Sequence, residues 1–194
     1  MTAILAPNGF IPTEHYTGGV ARTKLFGSEP GGNLWSGISP SNTTPIYQYQ
    51  PVTISGGYVV AATSGQALLG IFAGCYFTDP NGRHAEQAWW PGTTGCQNIV
   101  AIVYVDPNIT YYVQADGSVP QTALYTTTNG SNLANGSTQL QISQATVSAS
   151  VGAGTAQFLI VGIQEVQNNS WGDAFTILEV KPNLSLSITG VAGV

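Results

Sequence analysis

The side chains able to do chemistry are few and scattered. Only two imidazoles are available, His15 and His84. His15 falls in a stretch rich in Gly and Pro, a poor place to hold catalytic geometry. His84 lies in Asn81-Gly82-Arg83-His84-Ala85-Glu86 and reads as a surface loop residue. No Gly-x-Ser-x-Gly elbow presents a nucleophile. Of the nine acids, Asp79, Asp106, Asp116 and Asp173 sit in turn sequences, where a carboxylate bonds nearby backbone N–H groups. That leaves no obvious carboxylate pair for glycoside hydrolysis. No Gly-rich stretch is followed by the Lys and helix of a phosphate loop, and no EF-type calcium loop occurs. Cys75 and Cys96 lack Cys-x-x-Cys spacing, so they give no zinc signature. They read as two buried reduced thiols, with a disulfide between neighbouring strands as the other reading. The expectation is a non-enzymatic chain with no metal and no cofactor.

The aromatic residues are more informative. Trp89-Trp90-Pro91-Gly92 has two readings. One is a sugar-stacking platform, as in a carbohydrate-binding module. The preferred one puts one ring in the core and the other in a subunit contact, because aromatic rings concentrate at interface centres. Trp171, in Asn169-Ser170-Trp171-Gly172, reads as a ring plugging the end of a barrel or meeting a partner. Trp35 could anchor an N-terminal segment onto a neighbour. Arg22 is one of only four Lys and Arg, so it is a candidate for a specific ion pair.

These residues must be held by strands. The 194 residues suit one domain with a modest extension. Residues 1–44 are punctuated by Pro7, Pro12, Pro30 and Pro40 and by Gly pairs, and read as an extended arm with short β-bridges. About 20 extended residues would reach on the order of 65 Å, far enough to touch a neighbouring molecule. Residues 45–181 form the β-rich core. Strands are expected at Ile46–Gln50, Pro51–Ile54, Tyr58–Ala61, Ala67–Phe77, Ile99–Val105, Ile109–Ala115, Phe158–Val166 and Phe175–Lys181. The interior Gly of the fourth run suggest a bulge or close backbone approach. Residues 126–150 read as polar loops with weak strands, with Asn129-Gly130 and Asn135-Gly136 as tight turns. The tail, 182–194, alternates Leu184, Leu186 and Ile188 on one face. It must return to its own sheet or add to a neighbour's. No window has a capped amphipathic helix. The fold class is mainly β, an antiparallel barrel or sandwich with an extended N-terminal arm.

Charge narrows the partners. Only 7% of residues are charged, against about 25% in a typical soluble domain. Four cations in a chain of net charge −5 cannot neutralise a useful run of phosphates, so nucleic acid is excluded as a partner. A polybasic membrane anchor is excluded likewise. Residues 1–12 lack the basic and apolar regions of a signal peptide, and no run is long enough to cross a membrane as a helix. The expectation is a protein made in a cytoplasm. With so few ions, apolar packing and backbone pairing must dominate its contacts.

An ordered series of short motifs resembles a known family. It runs from Ala6-Pro7-Asn8-Gly9-Phe10-Ile11-Pro12, His15, Gly18-Gly19 and Arg22-Thr23 to Leu69-Gly70-Ile71-Phe72-Ala73-Gly74, Tyr76 and Asp79. Gly82, Trp90-Pro91 and Thr93 follow, then Val103-Tyr104-Val105-Asp106-Pro107-Asn108 and Val113-Gln114-Ala115-Asp116-Gly117. It closes with Ile160-Val161-Gly162-Ile163, Asn169, Trp171-Gly172 and Glu179-Val180. The series resembles the capsid cement, or head decoration, proteins of tailed bacteriophages. The resemblance implies a mainly-β virion protein on the outside of an HK97-type shell. It would be made in the host bacterial cytoplasm, would bridge neighbouring capsomers, and would bind the major capsid protein and itself, as a trimer in preference to a dimer. The Thr/Asn/Ser-rich 126–150 segment and the long tail depart from the family pattern. The interface candidates are Pro7, Phe10, Pro12, His15, Arg22, Trp35, Trp89, Trp90, Trp171, Leu184, Leu186 and Ile188. The alternative function is a head-fibre or carbohydrate-binding adhesin using Trp89 and Trp90.

Overall fold

The computed structural model describes residues 4–27, 37–152 and 154–187. Its long strands follow β-branched and aromatic runs between turns. They are β1 (Ile11–His15), β2 (Lys24–Phe26), β3 (Pro51–Ser55), β4 (Tyr58–Ala61), β5 (Gly70–Thr78), β6 (His84–Gln87), β7 (Gln97–Tyr104) and β8 (Ile109–Gln114). Short strands β9 (Thr127–Thr128), β10 (Gly130–Ser131), β11 (Gly136–Ser137), β12 (Ile142–Ser143) and β13 (Thr146–Val147) follow. β14 (Phe158–Ile163) and β15 (Ile177–Pro182) complete the set. The one helical turn among the described residues is the 3-10 segment Gln121–Ala123.

One sheet has the order β1-β8-β15-β14-β9; the other has β2-β7-β5-β3-β4, with β6 also paired to β5. Every pairing between these strands is antiparallel. The arrangement is sandwich-like, and neither sheet closes into a barrel. A first core gathers Ile109, Tyr111 and Val113 of β8 with Phe158 and Ile160 of β14 and Leu178 and Val180 of β15. Ile71 of the second sheet packs into it, with Tyr104 at its margin. A second core lies on the other face of that sheet, where Phe72, Cys75, Phe77, Ala101 and Val103 meet Ile46 and Trp90.

Glycine makes β5 fit both cores. Phe72 pairs with Val103 and Gly74 with Ile102, so two residues of β5 face one of β7. This bulge resets the alternation and keeps Phe72, Cys75 and Phe77 on one face. A Cβ on Gly70 would lie 1.9 Å from the Tyr104 carbonyl oxygen, so the close backbone approach expected from the sequence is also present.

Several expectations need correction. Ile46–Gln50 is not a strand; it makes isolated bridges to Trp90 and Ile142, because Tyr49 takes a left-handed φ of 64° that breaks the alternation. Asn129-Gly130 and Asn135-Gly136 are not tight turns. Both glycines lie within strands and admit side chains instead: a Cβ on Gly136 would sit 2.1 Å from the Tyr47 ring. The left-handed residues of this stretch are Asn132, at φ 53°, and Gln141, at φ 62°.

The N-terminal segment is extended, yet residues 4–27 lie along the body instead of standing off it. β1 adds to β8 and β2 adds to β7. Phe10 stacks on Phe158 with ring centroids 4.5 Å apart. The tail returns to its own chain: Leu68 N–H donates to the Leu184 carbonyl at 2.9 Å and Leu186 N–H to the Leu68 carbonyl at 2.8 Å. It does so as a parallel bridge at Ser185, not as a continuous strand.

Candidate interaction surface

The candidate residues separate into three groups. Phe10 and Trp90 are fully buried within this one chain, so neither ring can reach a partner while the fold is intact. This corrects their place among the interface candidates. Trp90 is thus the ring of the tryptophan pair that the preferred reading placed in the core, whereas Phe10 lies in a Gly- and Pro-rich stretch that looks like surface; each is pinned by the backbone around it. Phe10 N–H donates to the Tyr49 carbonyl at 2.9 Å. Trp90 exchanges two backbone bonds with Ile46, donates its indole N–H to the Asn42 carbonyl at 3.1 Å, and meets Phe77 edge-on. Trp89 is half-buried and stacked on Tyr47, centroids 5.8 Å apart. The two tryptophans therefore offer no shared platform for a sugar ring. Trp35 and Ile188 lie outside the described residues.

A second group sits on or beside β1. Pro7 and Pro12 are half-buried; Pro12 occupies an edge strand, where its missing N–H costs no ladder bond. Gln114 holds the chain before β1 with its side-chain amide, accepting from Ala6 N–H at 2.8 Å and donating to the Ile4 carbonyl at 3.0 Å. His15 Nε2 lies 3.3 Å from the Asp106 carboxylate. Its Nδ1 lies 2.8 Å from the Thr17 hydroxyl. The row has the connectivity of a nucleophile, base and acid, but Thr17 belongs to His15's own exposed turn. Physically it clamps the end of β1 to the turn before β8. Arg22 is exposed and has no carboxylate within 4 Å among the described residues.

The third group joins the tail to β2. Leu184 is half-buried, while Leu186 is 53% exposed. Leu186 shares a mainly apolar hollow of about 220 Å³ with Phe26, Ile54, Leu69 and Val105, rimmed by Lys24. The Lys24 ammonium stands 5.7 Å from the Phe26 ring centroid.

The strongest surface feature was only partly visible in the sequence. Eleven large apolar side chains are exposed among the described residues, and six of them are Ile4, Leu5, Ile11, Tyr16, Val20 and Leu25. Val20 is 83% exposed and Ile4 77%. The same segment supplies β1 and β2, an edge strand of each main sheet. An edge strand leaves one row of N–H and C=O groups unpaired and can template another chain.

The outer face of the first sheet carries a second feature, which sequence reasoning missed. Tyr112 pairs with Ile11 on one side and Glu179 on the other, so the three share that face. The signal was there: with Tyr111 in the core, the period of two puts Tyr112 outside. Burial, then the charges of Glu179, Glu14 and Glu165, raise the Tyr112 phenol above its ordinary value. Nearby, donating its hydroxyl hydrogen bond to Tyr125 raises the Tyr16 phenol above its ordinary value, with Glu179 adding to it. The Lys181 ammonium lies 4.8 Å from the Tyr16 ring centroid. Trp171 is half-buried, packs on the first core and lines a groove on this face.

Among the described residues, no group of three or more His, Cys, Asp or Glu is placed to hold a metal ion. Cys75 and Cys96 are buried and unbridged, and burial pushes the Cys75 thiol up to about 12. Comparison of the chain with protein-family models, with curated proteins and with solved structures gives no match.

Proposed function

We propose that the protein is a non-enzymatic capsid cement subunit of a tailed bacteriophage. It binds the outside of an HK97-type shell and bridges neighbouring capsomers. One observation carries this reading: the N-terminal segment is an edge strand in both main sheets and holds six of the eleven exposed large apolar side chains. Such a segment suits joining to another subunit by strand addition and apolar burial. The motif series supplies the identity of that subunit, the major capsid protein. The mechanism is mechanical. Area buried across capsomer joints adds a free-energy term that opposes shell rupture under internal pressure. An interface of standard size, roughly 1,600 Å², suffices for tight binding. Self-association as a trimer matches points where three capsomers meet, and a dimer matches twofold points.

The test is imaging of phage particles whose copy of this protein carries a compact label. The reading expects label at regular positions over the shell, in a copy number set by icosahedral symmetry. Label confined to the tail, or particles without it, would overturn the reading.

A further inference from the structure

The chain contains four Asn-Gly pairs: Asn8-Gly9, Asn81-Gly82, Asn129-Gly130 and Asn135-Gly136. Such a pair can react with itself. Glycine lacks a Cβ, so its main-chain nitrogen can approach the preceding side-chain amide closely. The fold treats the four pairs differently.

Three are held in place. Gly9 is buried, and a Cβ there would lie 2.6 Å from the Tyr49 carbonyl oxygen. Gly130 is also buried, and its N–H donates to Gln157 Oε1 at 2.9 Å. The Asn129 side-chain oxygen accepts from Gln157 N–H at 3.2 Å, so both reacting groups of this pair are engaged. Gly136 lies in β11 against the Tyr47 ring. Asn135 before it donates its N–H to the Asn132 carbonyl and accepts from Gln144 N–H, each at 2.9 Å. At these three pairs the peptide unit can rotate only after packing or a hydrogen-bond network opens.

Asn81-Gly82 differs. It lies in the turn between β5 and β6, and both residues are exposed. Beyond its chain neighbours, no atom lies within 4 Å of where a Cβ on Gly82 would stand. Asp79 holds the turn: its carboxylate accepts from Asn81 N–H and Arg83 N–H, both at 2.8 Å, and its carbonyl accepts from Gly82 N–H at 2.9 Å. These bonds belong to one exposed turn and can open without disturbing either core.

We propose that Asn81 is a site of spontaneous covalent modification, converted to aspartate and isoaspartate within the intact fold. Hydroxide takes the Gly82 amide proton, and the nitrogen attacks Asn81 Cγ. The new N–C bond forms as the Cγ–Nδ2 bond breaks, and the side-chain nitrogen leaves as ammonia with a proton from water, which restores the hydroxide. The resulting succinimide takes up one water. Addition at Cγ gives aspartate; addition at the main-chain carbonyl carbon gives isoaspartate, with the chain routed through Cβ and Cγ. In sum one water is consumed and one ammonia released, with no oxidation or reduction. Either product places a new carboxylate beside Asp79. Isoaspartate also lengthens the main chain inside the turn that keeps Thr78 opposite His84. The proposal is independent of the cement reading, because the reaction needs no partner.

The test is peptide mapping by mass spectrometry of the full chain after incubation in mildly alkaline buffer, folded and in guanidinium, with isoaspartate counted by methyltransferase labelling. Dividing each pair's folded rate by its own rate in guanidinium removes the effect of flanking sequence. This ratio should be highest at Asn81, with Asn8, Asn129 and Asn135 lower by about tenfold or more. Asp79→Ala, checked for folding by thermal unfolding, should bring the folded Asn81 rate nearer its rate in guanidinium. Asn81 left intact in the folded wild type, or a ratio at Asn81 no higher than at the other three pairs, would overturn the proposal. Both of those outcomes are read on the wild type and do not depend on the variant.

Discussion

At the residue scale, the fold tolerates some unmet polarity and depends on tight steric fits. Tyr111 is fully buried and its hydroxyl has no hydrogen-bond partner among the described residues. Removing an unsatisfied buried hydroxyl recovers its desolvation penalty, roughly 1–3 kcal/mol. Tyr111→Phe is therefore expected to stabilise the protein by about 1 kcal/mol, read by urea unfolding; a loss of stability would show that the hydroxyl is bonded. Phe10→Ala should cost about 3–5 kcal/mol, as for an aromatic ring removed from a core. Buried ionisable groups set the alkaline limit. The Cys75 thiol keeps its proton in the fold up to about 12, whereas its ordinary value is 9.0. The unfolded chain thus releases this proton first. The stability it contributes is full below pH 9 and is lost as the pH climbs toward 12. Burial raises Tyr111 above 10.0 and adds the same sign at higher pH. The melting temperature should fall above pH 9, and Cys75→Ala should make the decline between pH 9 and 10 shallower. An unchanged slope would contradict the assignment.

At the scale of elements, neutral amides do what ion pairs do in more charged proteins. Gln157 is fully buried and ties three segments together. Its Nε2 donates to the Thr63 and Gln66 carbonyls at 2.9 and 2.8 Å, and its Oε1 accepts from Gly130 N–H at 2.9 Å. Gln50 does the same between Tyr47 and Leu133. These two residues anchor the Thr/Asn/Ser-rich 126–150 stretch to the body. Gln157→Ala should cost about 1–3 kcal/mol, since it leaves the buried Gly130 N–H without its partner and removes two part-buried bonds to the Thr63 and Gln66 carbonyls. The β1 clamp gives a separate expectation: Asp106→Asn removes the ion pair with His15 and should speed amide exchange in Ile11–His15 while leaving β14 unchanged. Equal exchange in wild type and variant would remove the clamp from the account. The same scale explains what the sequence revealed. Long strands such as β5, β7, β8 and β15 were legible because alternation and Asp-Pro-Asn turns are local signals. The bulge at Gly74 was legible from its interior glycines. The docking of Phe10 and Trp90 was not, because their partners, Phe158 and Phe77, lie far along the chain or across a strand turn. Nor was the role of Gly136, where room for the Tyr47 ring, not a turn, demands glycine. The meeting of Ile11, Tyr112 and Glu179 was hidden for a further reason: the three residues are brought side by side only by the sheet order.

At the scale of the whole molecule, the 7% charge becomes a statement about adhesion. With four cations in all, the proposed shell contact along β1 and β2 must rest on apolar burial and strand pairing, which salt screens little. The buried place of Phe10 also changes how the segment should be probed. Truncating residues 1–20 would remove a core ring along with the docking surface, so loss of retention would be ambiguous. Replacing exposed side chains separates the two.

The most direct measurement is therefore retention of the protein on purified phage particles through sedimentation in molar NaCl, comparing wild type with a variant carrying Ile4→Ser, Val20→Ser and Leu25→Ser. The account predicts that wild type stays bound in salt and is stripped by guanidinium, while the triple variant, still folded, is lost at low salt. Release of the wild type by NaCl alone, or full retention of the triple variant, would contradict it.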